Sequence, residues 1–169
     1  MSEAEYLALP EEKPYLEYVD GVVLQKPMPN AKHRRLSADI TIALGLYARE
    51  NGGGDYGPEG RVRLDTGRYR LPDTAYWVPG RPSGDDSLPA LAVEVLSPSQ
   101  DLSELREKCR SFRRAGVDAG WLIDPDRRTA EVFEGDDDGR IVSAEGTLES
   151  PLLPGFALEL AALFAVLDA

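Results

Sequence analysis

One stretch, Ala90-Leu91-Ala92-Val93-Glu94-Val95-Leu96, constrains this chain more than any other. Successive residues of a strand point to opposite faces, so an apolar run without alternation suits a strand covered on both sides. Such a sheet needs layers above and below it, and the flanking sequence offers them. Asn30 can cap a helix over Ala31 to Glu50, in which Leu36, Ile40, Ala43, Leu44 and Tyr47 recur at helical spacing, with Gly52 as its stop. A second helix is predicted from Leu102 to Ala115, opened by Asp101-x-x-Glu104 and ended by Gly116. Arg61 to Asp65 and Tyr69 to Val78 alternate as strands, the latter placing Tyr69, Leu71, Asp73, Ala75 and Trp77 on one face. Trp121-Leu122-Ile123 reads as another buried strand, closed by Asp124-Pro125. Helix, strands, helix, strand is the order of an α/β (α+β) protein with a mixed central sheet.

The two ends add smaller pieces. Ser2-x-x-Glu5 is a capping-box pattern for a short helix that stops near Pro10. Tyr15 to Val19 and Val22 to Gln25 are joined by Asp20-Gly21, a pair suited to a tight hairpin turn. Thr129 to Phe133 and Arg140 to Val142 flank the polar turn Gly135 to Gly139, and a last helix is predicted over Leu158 to Leu167. At 169 residues the chain suits one domain, with a core of about 31–124 and appended ends, 1–26 and 129–169.

Composition narrows the chemistry. One cysteine, Cys109, excludes an internal disulfide framework and suits a reducing cytoplasm. With one histidine besides, an ordinary tetrahedral zinc site is excluded. No apolar run is long enough to span a membrane, and the acidic start, Met1 to Glu5, is unlike a signal peptide, so a cytoplasmic location is expected. The net charge of −11 is uneven. Residues 30–128 carry 16 Lys/Arg against 15 Asp/Glu, whereas the flanks carry 3 against 15. The middle therefore keeps local basic clusters: Lys32-His33-Arg34-Arg35, Arg61/Arg63/Arg68/Arg70 and Arg110/Arg113/Arg114. Such clusters are either solvated faces or phosphate contacts, and composition does not choose between them.

Two carboxylates break the pattern. Glu94 lies inside the doubly covered strand, and Asp73 shares a face with Leu71, Ala75 and Trp77. A buried carboxylate must be protonated, paired with a cation or bound to a metal. Two on neighbouring strands could hold a hard divalent cation such as Mg²⁺, which takes one or two carboxylates plus water and phosphate oxygens. A lysine to serve the attacking water would complete the set, and Lys108 borders the apolar stripe of the second helix. The plain alternatives are an arginine partner for each acid and a Glu104–Lys108 pair along the helix.

These residues resemble a known family. Leu71-Pro72-Asp73, then Glu94 followed by Val95-Leu96, is similar to the PD-(D/E)XK signature of the restriction-endonuclease-like superfamily. The whole chain resembles the Uma-type restriction endonucleases, through Leu16-Glu17-Tyr18-Val19-Asp20-Gly21, His33, Val93 to Ser99, Lys108, Trp121 to Pro125 and Leu153-Pro154-Gly155-Phe156. The resemblance implies an αβββαβ core and a Mg²⁺- or Mn²⁺-dependent endonuclease acting on DNA. It implies that Asp73, Glu94 and the Val95 carbonyl bind the metal, with Lys108 serving the nucleophilic water. The superfamily lysine two residues after the glutamate is replaced here by Leu96, and the resemblance to the Uma-type branch implies that Lys108 takes over its part. Glu17 is an accessory residue, an extra ligand or a solvated hairpin edge. His33 is another, a phosphate or water contact or a solvent-facing histidine.

Other chemistries lack their motifs. There is no Gly-x-Ser-x-Gly elbow, P-loop or His-Glu-x-x-His. Two rival readings stay open: a non-catalytic binding module that keeps the fold, and a metal-dependent phosphoesterase with a non-DNA substrate. A homodimer is expected from the superfamily's pairing of active sites and from the hairpin edge near Tyr15 to Gln25.

Overall fold

Helix signals in the sequence act where they stand in the computed structural model, which describes residues 1–65 and 67–169. The elements begin with α1 (Glu3–Leu7), β1 (Leu16–Val19), β2 (Val22–Gln25), α2 (Ala31–Glu50), β3 (Asp55–Pro58), β4 (Val62–Asp65) and β5 (Arg68–Arg70). They continue with β6 (Thr74–Trp77), β7 (Leu91–Val95), α3 (Leu102–Ala115), β8 (Ala119–Asp124), β9 (Thr129–Glu134) and β10 (Asp137–Val142). Last come β11 (Thr147–Leu148), β12 (Leu158–Glu159) and α4 (Leu160–Ala165), with a 3₁₀ turn over Val166–Asp168. Asn30 accepts the His33 amide at the start of α2, and Asp101 accepts the Ser103 amide at the start of α3. Gly116, at φ 108°, ends α3 in the left-handed conformation that favours glycine.

The central sheet has six strands in the order β10-β9-β8-β7-β6-β3. It is mixed: β7 and β8 run parallel, and their neighbours pair antiparallel. Parallel strands need a crossover, and α3 supplies it. One face packs Leu91, Val93, Val95 and Trp121 against Leu36, Ile40 and Leu44 of α2, with Leu160, Leu163 and Phe164 from α4 in the same core. The other face carries Ala75, Trp77, Ala92 and Leu122, covered by Leu105, Cys109 and Phe112 of α3. Cys109 is free and buried.

A second sheet, β2-β1-β5-β4, packs beside α3. Tyr6 of α1 stacks on Tyr18 and tilts against Tyr69 to close its inner side. Two expectations change here. The run Tyr69 to Val78 is two strands in different sheets, because Pro72 has no amide to donate and Leu71-Pro72-Asp73 carries the chain across. The first strand of the αβββαβ order is Asp55–Pro58, while Arg61 to Asp65 enters the second sheet as β4. At the C-terminus, Leu158–Glu159 pairs with Thr147–Leu148 before the helix begins, which shortens the expected helix.

Candidate active site

The crossover from β5 to β6 is the seam between the sheets, and buried charge gathers there. Thr74 pairs with Val93, so one step further along the antiparallel register sets Asp73 opposite Glu94. Asp73 Oδ2 accepts the Val95 amide at 2.7 Å and lies 3.1 Å from His33 Nε2, in the capped first turn of α2. Glu17, on β1, accepts the Leu71 amide at 2.9 Å and the Arg70 guanidinium at 3.0 Å. From α3, Lys108 places its ammonium 2.7 Å from Glu17 Oε1 and 2.7 Å from Glu94 Oε1. The structure thus brings Asp73, Glu94, Lys108, Glu17 and His33 together, all buried. Glu17 is no solvated edge, His33 does not face solvent, and Lys108 turns to acids of both sheets instead of pairing with Glu104.

Sequence reasoning missed Lys26 and Glu59. Lys26 follows β2, and its ammonium lies 2.9 Å from Asp73 Oδ1, 2.9 Å from Glu59 Oε2 and 2.8 Å from the Leu71 carbonyl oxygen. A signal existed in the hairpin: Glu17 pairs with Leu24, so Lys26, two residues on, shares the face of Glu17. Nothing local points to Glu59. The two acids are therefore neutralised by ammonium groups, where an arginine pair was the plain alternative. A cavity of ≈ 410 Å³, lined by Tyr15, Lys26, Met28, His33, Glu59 and Asp73 among others, opens on this side of the cluster.

The charges are unequally compensated. Burial raises the Asp73 carboxyl, yet Lys26 and His33 hold it well below the usual carboxylate range. Glu17 is lowered too: burial opposes ionisation, but Lys108 and Arg70 outweigh it. Glu94 goes the other way, pushed up to about 8 by burial that the Lys108 charge offsets only in part, with Asp73 adding repulsion. The contact its Oε1 makes is with the Lys108 ammonium, at 2.7 Å. Lys108 is kept cationic because Glu17 and Glu94 overcome the effect of its burial.

Among the described residues no group of three or more His, Cys, Asp or Glu is arranged to hold a metal ion. The donor chemistry suits a hard divalent cation all the same: buried carboxylates side by side where two strands meet, with backbone carbonyls beside them. Asp73 and Glu94 could hold such an ion. The basic clusters behave differently from one another. Arg61, Arg63, Arg68 and Arg70 are paired with Asp86, Glu3, Asp20 and Glu17. Arg110 and Arg114 pair with Asp138 and Glu107, and Arg113 donates to the carbonyls of Val117, Asp118 and Gly135. Arg34 and Arg35 at the start of α2 are exposed, beside Lys32, which meets Asp126 at 3.7 Å. No helix among the described residues is long and apolar enough to cross a membrane.

No curated protein matches the chain in sequence. Its fold is similar to the crystal structure of a putative nuclease belonging to DUF820 from Anabaena variabilis, with a TM-score of 0.86, 23% identity and 98% of each chain covered. The Uma2 profile, described as a putative restriction endonuclease, matches residues 3–162. With nearly its whole length matched, and a mixed sheet of the nuclease fold holding its charged seam, the chain belongs to the Uma2 restriction endonuclease family.

Proposed function

We propose that this chain is a metal-dependent endonuclease that hydrolyses phosphodiester bonds in DNA. Asp73, Glu94 and the Val95 carbonyl would hold Mg²⁺ or Mn²⁺, which when bound polarises the phosphodiester and acidifies a water. What supports the reading is the convergence of Asp73, Glu94 and Lys108, from the crossover into β6, from β7 and from α3, at one seam beside a cavity. Lys108 stays protonated between two carboxylates, so its part is to orient the attacking water and offset phosphate charge, not to take the proton. His33 fixes Asp73 Oδ2 together with the Val95 amide, and Glu17 holds both Lys108 and the Leu71 amide that precedes Asp73. The exposed Arg34 and Arg35 are the cluster open to phosphate contact.

Supercoiled plasmid incubated with the purified chain should be nicked with Mg²⁺ or Mn²⁺ and not with EDTA. Glu94→Ala, Asp73→Asn and Lys108→Ala should each reduce nicking by at least about a hundredfold. Cleavage that survives Glu94→Ala overturns the assignment. Failure of Mn²⁺ to bind, with the variants behaving like wild type, leaves the non-catalytic module. Hydrolysis of small phosphodiesters with DNA untouched leaves the phosphoesterase. A homodimer paired across the outer edge of β2, where Val22 and Leu24 are exposed, belongs to the same proposal, and a monomer mass by light scattering removes it.

A further inference from the structure

Three oxygens surround the Lys26 ammonium, and they come from two stretches of the chain, Glu59 and the Leu71-Pro72-Asp73 crossover. Asp73 Oδ1 and Glu59 Oε2 are each 2.9 Å away, and the Leu71 carbonyl oxygen is 2.8 Å away. Two carboxylates and a carbonyl are the hard donors that a divalent cation takes, with water completing the shell. The place is also reachable. Lys26, Glu59 and Asp73 line the ≈ 410 Å³ cavity, whereas Glu94 and Lys108 are not among its lining residues. Asp73 divides its oxygens accordingly: Oδ2 is held from within by the Val95 amide and His33, and Oδ1 is turned to Lys26. An ion arriving from the cavity meets Oδ1 first.

We infer that Glu59, the Leu71 carbonyl and Asp73 form the seat through which the divalent ion binds, and that the Lys26 ammonium fills this seat in the ion-free chain. The inference rests on the reading of a metal-dependent site and deepens it, adding Glu59 as a ligand and Lys26 as a positioning residue. Its physical logic is electrostatic. The carboxylates of Asp73 and Glu59 converge on one point, and without a resident cation their repulsion would spread the donors apart. Lys26 keeps the oxygens within one small cage, ready for a cation of higher charge. Its compact ammonium on a flexible four-carbon stem can leave without disturbing the backbone. Two cations cannot share the cage, so Lys26 and the metal must compete.

The test is Mn²⁺ binding by calorimetry to the full chain. Removing the competitor should make Lys26→Met bind Mn²⁺ about tenfold more tightly than wild type or better, because the binding-competent seat is then always open. Glu59→Gln should weaken binding severalfold. Equal or weaker binding by Lys26→Met, with Glu94→Ala abolishing it, overturns the inference and leaves the nuclease reading standing. No Mn²⁺ binding by wild type or any variant overturns both. Should Lys26→Met fail to fold, lysine side-chain resonances of the wild-type chain decide, with Lys26 assigned by Lys26→Arg. A Lys26 signal that moves on saturation with Mg²⁺ supports the inference, and one that stays overturns it.

Discussion

Glu94 and Glu131 occupy the same row of the central sheet. Glu94 sits beside Leu122 on β8, and Leu122 sits beside Glu131 on β9, so all three share the face under α3. The helix answers both acids from positions two residues apart. Arg106 donates to Glu131 at 2.8 Å and 3.2 Å, and Lys108 lies 2.7 Å from Glu94. Solvent separates the two cases. The Arg106 side chain is 36% exposed, and its Nε–H is shared between the two oxygens of one carboxylate. The Lys108 side chain is 5% exposed and divides one charge between Glu94 and Glu17. A buried carboxylate whose own guanidinium reaches it from a wet rim is a fastening. A carboxylate that shares a lysine inside a dry seam stays short of positive charge, and that shortage is what a divalent cation can relieve.

The contrast can be broken most directly by activity. Glu131→Gln should keep metal-dependent plasmid nicking within about threefold of wild type, against the loss of about a hundredfold or more expected for Glu94→Ala. Equal losses would show that both acids merely hold the sheet. Stability gives the next largest effect. Lys108→Met strands Glu94 in the interior, leaves Glu17 to Arg70 and the Leu71 amide, and should cost about 3–5 kcal/mol in urea unfolding. Arg106→Met unpairs Glu131, whose side chain is 7% exposed but whose partner stands at the rim, and should cost less, about 1–3 kcal/mol.

The pH profile sharpens the comparison further. The folded chain holds the Glu94 proton up to about 8, while the unfolded chain releases it near the ordinary carboxylate value. That contribution is complete below the ordinary value and is lost as pH rises through about 8. Asp73 and Glu17 are lowered, so theirs is present above the ordinary range and lost as pH falls below it. The ion-free chain should therefore be most stable at mildly acidic pH and lose stability toward pH 9. Thermal unfolding should show that decline in wild type and Glu131→Gln but not in Glu94→Gln. A decline that persists in Glu94→Gln would assign it to another group.

Much of the frame was legible because its signals are local. The helices over Ala31–Glu50 and Leu102–Ala115 begin and end at their expected residues, since Asn30, Asp101 and Gly116 act within one turn. The Asp20-Gly21 turn is equally local, with φ 50° and 90° at its two residues. Strand membership was not legible in the same way. Tyr69 to Val78 alternates without interruption, yet its two halves pair with β1 and β4 in one sheet and with β3 and β7 in the other. β3 escaped notice because Gly57 and Pro58 weaken its strand signal, although an edge strand tolerates both.

The same division runs through the site. Glu94 inside Ala90 to Leu96, and Lys108 at the border of an apolar stripe, are anomalies that the linear pattern exposes, because burial follows from periodicity. Lys26 and Glu59 broke no local rule: the hairpin register puts Lys26 on the face of Glu17, but what either residue pairs with was open until the sheets met. Their partnership with Asp73 was decided by the tertiary structure alone: ion pairing in a dry seam selects whichever charges the crossing backbones bring within about 3 Å. Residue order says which groups cannot stay in water. Only the folded chain says which of them must then share a cation.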